Sequence, residues 1–82
     1  MHPPFKKRIF SVARAEIGHL RFIVESYEGL VFLRTLDRHQ GLVEISYAAE
    51  RERDVNGLVA GLAKETGWHE VTAEYLGIFP EL

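Results

Sequence analysis

The sequence predicts an α+β fold of the ferredoxin-like type, in which a four-stranded antiparallel sheet carries two helices on one face. Two observations predict it. Four short runs alternate apolar and polar residues, as strands do. Two longer stretches place their apolar residues three and four positions apart, as amphipathic helices do. The order along the chain is β-α-β-β-α-β, for which a two-layer sandwich is the simplest closed arrangement.

The first strand and the first helix are predicted from residues 6–13 and 15–28. Phe10 and Val12 alternate along the strand. The apolar positions of the helix fall on one face. They are Ile17, Leu20, Ile23, Val24 and Tyr27. Gly29 is predicted to end this helix with a positive φ, because glycine enters the left-handed conformation at no steric cost.

The next two strands are predicted over residues 30–36 and 42–48, joined by a hairpin loop that contains Asp and Gly where a turn favours them. If Leu36 lies opposite Leu42, then Arg34 lies opposite Glu44. Opposite charges in such a cross-strand pair are favourable by about 0.2–1 kcal/mol. The chemistry of the paired side chains therefore supports this register.

The same register points Phe32, Leu36 and Leu42 away from the helices, together with Ile9 of the first strand. A contiguous exposed apolar group often marks a contact surface. Phe32, Leu36 and Leu42 are therefore candidates for a homodimer interface. The alternative is that the C-terminal residues Ile78, Phe79 and Leu82 cover this face within one chain.

The second helix is predicted over residues 50–66 and ends at Gly67. Its apolar face carries Val55, Leu58, Val59 and Leu62. The spacing of Gly57 and Gly61 inside it suggests a close approach to a neighbouring element. A fourth strand follows over residues 68–76. Because helices occupy both crossovers, strands 1 and 3 and strands 2 and 4 are expected as parallel neighbours.

The chain length of 82 residues predicts one domain over 1–82, with an N-terminal extension (1–5) and a C-terminal tail (77–82). The absence of cysteine excludes disulfides, thiolate zinc sites and cysteine nucleophiles, and it favours a reducing cytoplasm. The net charge of −2 argues against nucleic acid and anionic membrane as partners. The sheet face also lacks the aromatic residues on which RNA-recognition modules stack bases.

The best polar cluster lies at the hairpin end and comprises Arg34, Thr35, Asp37, Arg38 and His39. Within it, Arg34, Asp37 and His39 are the candidate ligand-binding residues. The alternative is a charged hairpin end that serves only solubility. The four histidines lack metal-ligand spacing, and no serine or threonine has a nucleophile motif around it. No catalytic residue, metal or cofactor is therefore predicted.

These observations favour a non-enzymatic binding or regulatory module that self-associates. The runner-up is a small-ligand sensor similar to ACT modules, and an enzyme acting through residues 34–39 comes third. A ligand-dependent change in thermal stability would separate the second possibility from the first, and loss of a measured activity on Asp37→Asn would support the third.

One stretch of the sequence resembles a known family. The stretch covers residues 14–30, which end in Glu25-x-Tyr27-x-Gly29-Leu30, and continues with Arg34-Thr35-Leu36-Asp37 and Gly41. It is similar to small bacterial proteins grouped as a domain of unknown function, DUF4911, over roughly residues 7–62. The resemblance implies a short bacterial protein and supplies no activity, cofactor or catalytic residue. In this motif Tyr27 is expected to pack, Gly29 to cap the helix and Leu30 to close the cap.

Overall fold

The computed structural model describes residues 5–71 of the chain. Six elements follow in the predicted order: β1 (Phe5–Ser11), α1 (Ile17–Glu25), β2 (Phe32–Asp37), β3 (Leu42–Ala48), α2 (Glu52–Thr66) and β4 (His69–Val71). A short 3-10 turn precedes each helix, at Arg14–Glu16 and at Ala49–Arg51. The part of the predicted fourth strand beyond Val71, the first four residues of the N-terminal extension and the 77–82 tail lie outside the described residues.

The four strands form one antiparallel sheet in the order β2-β3-β1-β4, which confirms the predicted fold class. The expectation of parallel neighbours is wrong. β1 pairs with β3 and with β4, and both pairings are antiparallel. Each helical crossover skips over one strand. The two strands that a crossover joins are consequently separated by a third, which runs the other way.

The hairpin register is confirmed over four pairs and wrong at its end. The predicted pairs hold from Phe32↔Ser46 to Thr35↔Val43, and Arg34 lies opposite Glu44. At the loop, however, Asp37 replaces Leu36 opposite Leu42, because the register shifts there by one residue. Such a bulge leaves the extra residue unpaired and bends the strand.

The core lies between the sheet and the two helices. Its buried side chains come from alternate positions of the strands and from one face of each helix: Phe10, Val12, Leu20, Val24, Val31, Val43, Ile45, Tyr47, Val55, Leu58, Leu62 and Trp68. The rings of Phe10 and Trp68 stack with centroids 3.8 Å apart. The indole Nε1 of Trp68 also donates a hydrogen bond to the Val59 carbonyl at 3.1 Å. This pair therefore links β1 to the middle of α2.

Helix α1 ends three residues earlier than predicted, at Glu25. The Ser26 hydroxyl donates to the Ile23 carbonyl at 2.6 Å, and turns carry the chain to β2. Gly29 has the predicted positive φ, 84°, but it closes these turns and not the helix itself. Tyr27 is 49% exposed, so the expectation that it packs is wrong, whereas Leu30 does pack against the core.

Helix α2 ends as predicted at Gly67, whose φ is 75° and whose N–H donates to the Ala63 carbonyl. The interpretation of Gly57 and Gly61 is wrong. A Cβ built at either position meets nothing within 4 Å, so neither glycine permits a close approach. Both lie on the solvent-exposed side of α2.

The sheet face away from the helices is less exposed than predicted. Ile9 and Leu42 are buried, although neither belongs to the helix-facing core. Glu44 is buried on the same face and pairs with Arg34 at 3.4 Å, as the register predicts. The expected exposure of Ile9 and Leu42 is therefore wrong. The alternative cover by Ile78, Phe79 and Leu82 concerns residues outside the described range.

Candidate functional site

Two loops meet at one end of the sheet, where the chain leaves β1 and where the β2–β3 hairpin turns. The Val12 N–H donates to the Gly41 carbonyl at 2.8 Å and joins the two loops at their base. Gly41 is buried, with φ at +72°, and an ideal Cβ there would lie 1.9 Å from the Val12 carbonyl oxygen. Only glycine allows this approach. The hairpin tip is thereby held beside the start of α1.

A cleft of about 960 Å³ opens above this contact. Its walls come from the turn before α1, from the first turns of α1 and from the hairpin. The lining residues are Arg14, Ala15, Ile17, Gly18, Arg21, Thr35, Arg38 and His39. Three of them are arginines that belong to three separate segments. No carboxylate is among the lining residues that the structure describes, so the positive charge of the cleft is not neutralised from within it.

Two contacts orient the cationic groups of the cleft without cancelling their charge. Arg21 Nη2 donates to the Thr35 hydroxyl at 3.2 Å, across from α1 to β2. Arg14 Nη1 lies 3.4 Å from His39 Nδ1 on the hairpin. A hydroxyl and an imidazole leave a guanidinium with its full charge and most of its donors free. The two arginines are therefore positioned to bind an anion.

The three ligand-binding candidates from the sequence have different places in the structure. His39 lines the cleft. The Asp37 carboxylate accepts hydrogen bonds from the backbone N–H groups of His39 and Gln40, at 3.0 and 3.1 Å, and so holds the loop in shape. Arg34 lies on the other face of the sheet, where it pairs with Glu44. The geometry thus brings His39 alone of the three into the cleft.

Sequence analysis missed Arg14 and Arg21 as members of this site. Arg38 and Thr35 belong to the predicted polar cluster at the hairpin, whereas Arg14 and Arg21 were assigned to no site. Arg14 lies in the 3-10 turn before α1 and Arg21 lies within α1, so helical spacing does not relate the two residues.

A second polar cluster lies at the other end of β1 and has a structural role. Arg8 Nε and Nη2 donate to the two carboxylate oxygens of Glu70 on β4, and Nη1 donates to the Asn56 side chain on α2 at 2.8 Å. Hydrogen bonding to the Glu70 carboxylate raises the pKa of Arg8. Burial of the guanidinium offsets part of this increase, and the Tyr47 hydroxyl adds to it. Nearby, Lys6 bonds Glu52, which raises the pKa of Lys6. The Arg8 guanidinium therefore fastens β1 to both β4 and α2.

The candidate interface residues differ in exposure. Phe32 is 63% exposed, Leu36 is half-buried and Leu42 retains only 4% exposure. Phe32 thus offers the largest surface to a second chain, and Leu42 offers almost none.

Two kinds of site are absent within residues 5–71. No three His, Asp or Glu side chains there come together in a way that could hold a metal ion. No described helix has both the length and the apolar character needed to cross a bilayer.

The fold and the cleft together define a small α+β domain with an arginine-lined cleft beside its β2–β3 hairpin. The chain belongs to the family described as Domain of unknown function (DUF4911), which it matches over residues 10–66. This range includes all of the cleft residues, and it confirms the family resemblance. A search of curated proteins and a search of solved structures each gave no match.

Proposed function

We propose that this domain is a non-enzymatic module that binds a small anionic ligand in the cleft beside the hairpin. The observation that carries the proposal is the meeting of Arg14, Arg21 and Arg38, from three segments, around one cavity without a lining carboxylate. Guanidinium groups bind carboxylate and phosphate oxygens through paired hydrogen bonds. This function corresponds more closely to a small-ligand sensor than to a module that only self-associates.

Charge and compartment agree with this proposal. The chain carries a net charge of −2, so the three arginines concentrate positive potential locally on an otherwise acidic molecule. The absence of cysteine supports a cytoplasmic location, where small phosphorylated and carboxylated metabolites are plentiful. The family resemblance supports a bacterial source.

The experiment is a calorimetric titration with inorganic phosphate, pyrophosphate and citrate at low ionic strength. We expect at least one of them to bind the wild-type domain with a millimolar or lower Kd, and we expect the triple variant Arg14→Gln, Arg21→Gln, Arg38→Gln to lose that binding. Arg53→Gln is the matched control, since Arg53 is exposed on α2 and does not line the cleft. Absence of binding by all three anions, or an equal loss in Arg53→Gln, would refute the proposal.

Self-association is a second candidate, favoured by the exposure of Phe32 on an edge strand. A large aromatic side chain at such an edge can anchor a symmetric contact. Light scattering at tens of micromolar protein tests it. A dimer mass that falls to the monomer mass in Phe32→Glu, but not in Phe22→Glu, would support an interface at β2. Phe22 is the matched control because it is 73% exposed on α1. A monomer mass for the wild type would exclude the dimer.

A further inference from the structure

The charge and size of the cleft also indicate the class of its ligand. We infer that the ligand is a small organic molecule with at least two linked phosphate groups, of the kind found in nucleoside diphosphates. The inference rests on the proposed anion-binding function and extends it.

The number and placement of the arginines favour more than one phosphate. A single guanidinium can satisfy one edge of a phosphate through two parallel hydrogen bonds. Arg14 lies in the turn before α1, Arg21 lies within α1, and Arg38 reaches the cleft from the opposite, hairpin side. Three guanidinium groups carry three positive charges, which two linked phosphates balance more completely than a single phosphate group with a charge of about −1.5 to −2. Two linked phosphates present oxygens to both sides of the cleft together.

Phosphate also suits these donors better than carboxylate does. A carboxylate offers two oxygens in one plane, whereas a terminal phosphate offers three oxygens in different directions. The donors here come from different directions as well, because the turn before α1, the helix itself and the hairpin each contribute one arginine. A single carboxylate would leave part of this donor set unused.

The remaining volume and the uncharged wall favour an organic group on the phosphates. A cleft of about 960 Å³ is at the upper end of the range that small-molecule sites occupy. The wall formed by Ala15, Ile17 and Gly18 has no charged side chain. Gly18 leaves open space next to the backbone, since a Cβ there meets nothing within 4 Å. The imidazole of His39 can stack on a planar group placed between the hairpin and this wall.

A nucleic acid is the competing polyphosphate and is disfavoured by the rest of the surface. The chain has a net negative charge, and the sheet face that RNA-recognition modules use has buried Glu44 near its centre. Two basic groups of β1 are paired with carboxylates, Lys6 with Glu52 and Arg8 with Glu70, whereas no carboxylate is among the described residues that line the cleft.

The test compares ADP, AMP, pyrophosphate, inorganic phosphate, citrate and a ten-nucleotide single-stranded RNA by calorimetry, without added metal ion. We expect ADP to bind about tenfold or more tightly than AMP, inorganic phosphate and citrate, with pyrophosphate between these and ADP. Arg38→Gln should weaken ADP binding by about tenfold or more, because it removes the guanidinium that the hairpin contributes to the cleft, and Arg53→Gln should not change it.

Each other outcome overturns a stated claim. If citrate or inorganic phosphate binds as tightly as ADP, the assignment of the ligand as a diphosphate is wrong, although the cleft still binds anions. Pyrophosphate binding as tightly as ADP would overturn the organic group. RNA binding more tightly than ADP would overturn the small-ligand class in favour of nucleic acid. Binding of none of these compounds would end both this inference and the function on which it rests.

Discussion

Gly41→Ala tests the contact that holds the two walls of the cleft together. The new Cβ would lie 1.9 Å from the Val12 carbonyl oxygen, and no real Cβ approaches closer than about 3.0 Å. Hairpin and β1 must therefore separate by more than about 1 Å at this point. Gly41 also has a φ of +72°, in the left-handed region that a side chain disfavours.

The expected loss of stability has three parts. Placing alanine in the left-handed conformation costs about 1–2 kcal/mol. Weakening the 2.8 Å hydrogen bond from the Val12 N–H to the Gly41 carbonyl costs about 0.5–1.5 kcal/mol. Displacing packed backbone adds about 1–2 kcal/mol. We expect a total of about 2.5–5.5 kcal/mol, a large share of the roughly 4–12 kcal/mol available to a domain of this size.

Gly29→Ala is the matched control. Its φ is +84°, so it has the same conformational cost, but a Cβ there meets nothing within 4 Å. We expect a loss of about 1–2 kcal/mol in this variant. The single tryptophan, Trp68, is buried against Phe10 and reports unfolding in urea through its fluorescence. Equal losses in the two variants, within about 0.5 kcal/mol, would show that the close contact at Gly41 is wrong.

Three further predictions concern stability and are checked by urea unfolding, which is followed by far-UV circular dichroism in the variant that lacks the single tryptophan. Gly57→Ala and Gly61→Ala should each stabilise the domain by about 0.5–1 kcal/mol, since both glycines lie inside α2 with open space around them. A lower urea midpoint would show that the space around them is not open. Trp68→Phe should cost about 1–2 kcal/mol, because it removes both the indole N–H bond to a helix carbonyl and packed ring volume, and a neutral result would show that neither contributes. Arg8→Met and Glu70→Gln should each lower the free energy of unfolding by about 1–2 kcal/mol, and the double variant should lose clearly less than the sum of the two single losses. Additive losses would show that the two side chains do not interact.

The fold class was predictable because its signals are local and repeated. Val55, Leu58 and Leu62 repeat at helical spacing and are buried, and Gly67 ends their helix as its position suggests. Strand β3 runs from Leu42 to Ala48, as predicted. Alternation and helical spacing are properties of neighbouring residues, so one sequence is enough to reveal them.

The errors arose where the outcome depended on contacts between distant residues. The bulge opposite Leu42 results from a loop that Asp37 organises through its side chain, and alternation along a strand carries no sign of it. The burial of Ile9 and Leu42 likewise depends on what covers the sheet and not on their own spacing. Both are tertiary effects that override the local pattern.

The candidate site was harder to predict than the fold for the same reason. His39 was recognised because it lies in a polar hairpin, but Arg14 and Arg21 are 25 and 18 positions away from it along the chain. Their meeting depends on the antiparallel pairing of β1 with β3, which returns the hairpin to the start of α1. A basic residue at a strand end has no signature that separates a ligand site from a soluble surface.

The central place of β1 has a consequence for how the chain folds. Phe10 pairs with Val43 on one side and with Glu70 on the other, so its partners follow about 33 and 60 residues later along the chain. During synthesis, β1 emerges well before either partner and has exposed backbone donors and acceptors on both edges. Formation of helix α1 is local and leaves these backbone groups of β1 unpaired. Folding should therefore be slow for a domain of this size, and Lys6, Lys7 and Arg8 are the charges that keep β1 from pairing with other chains before its partners arrive.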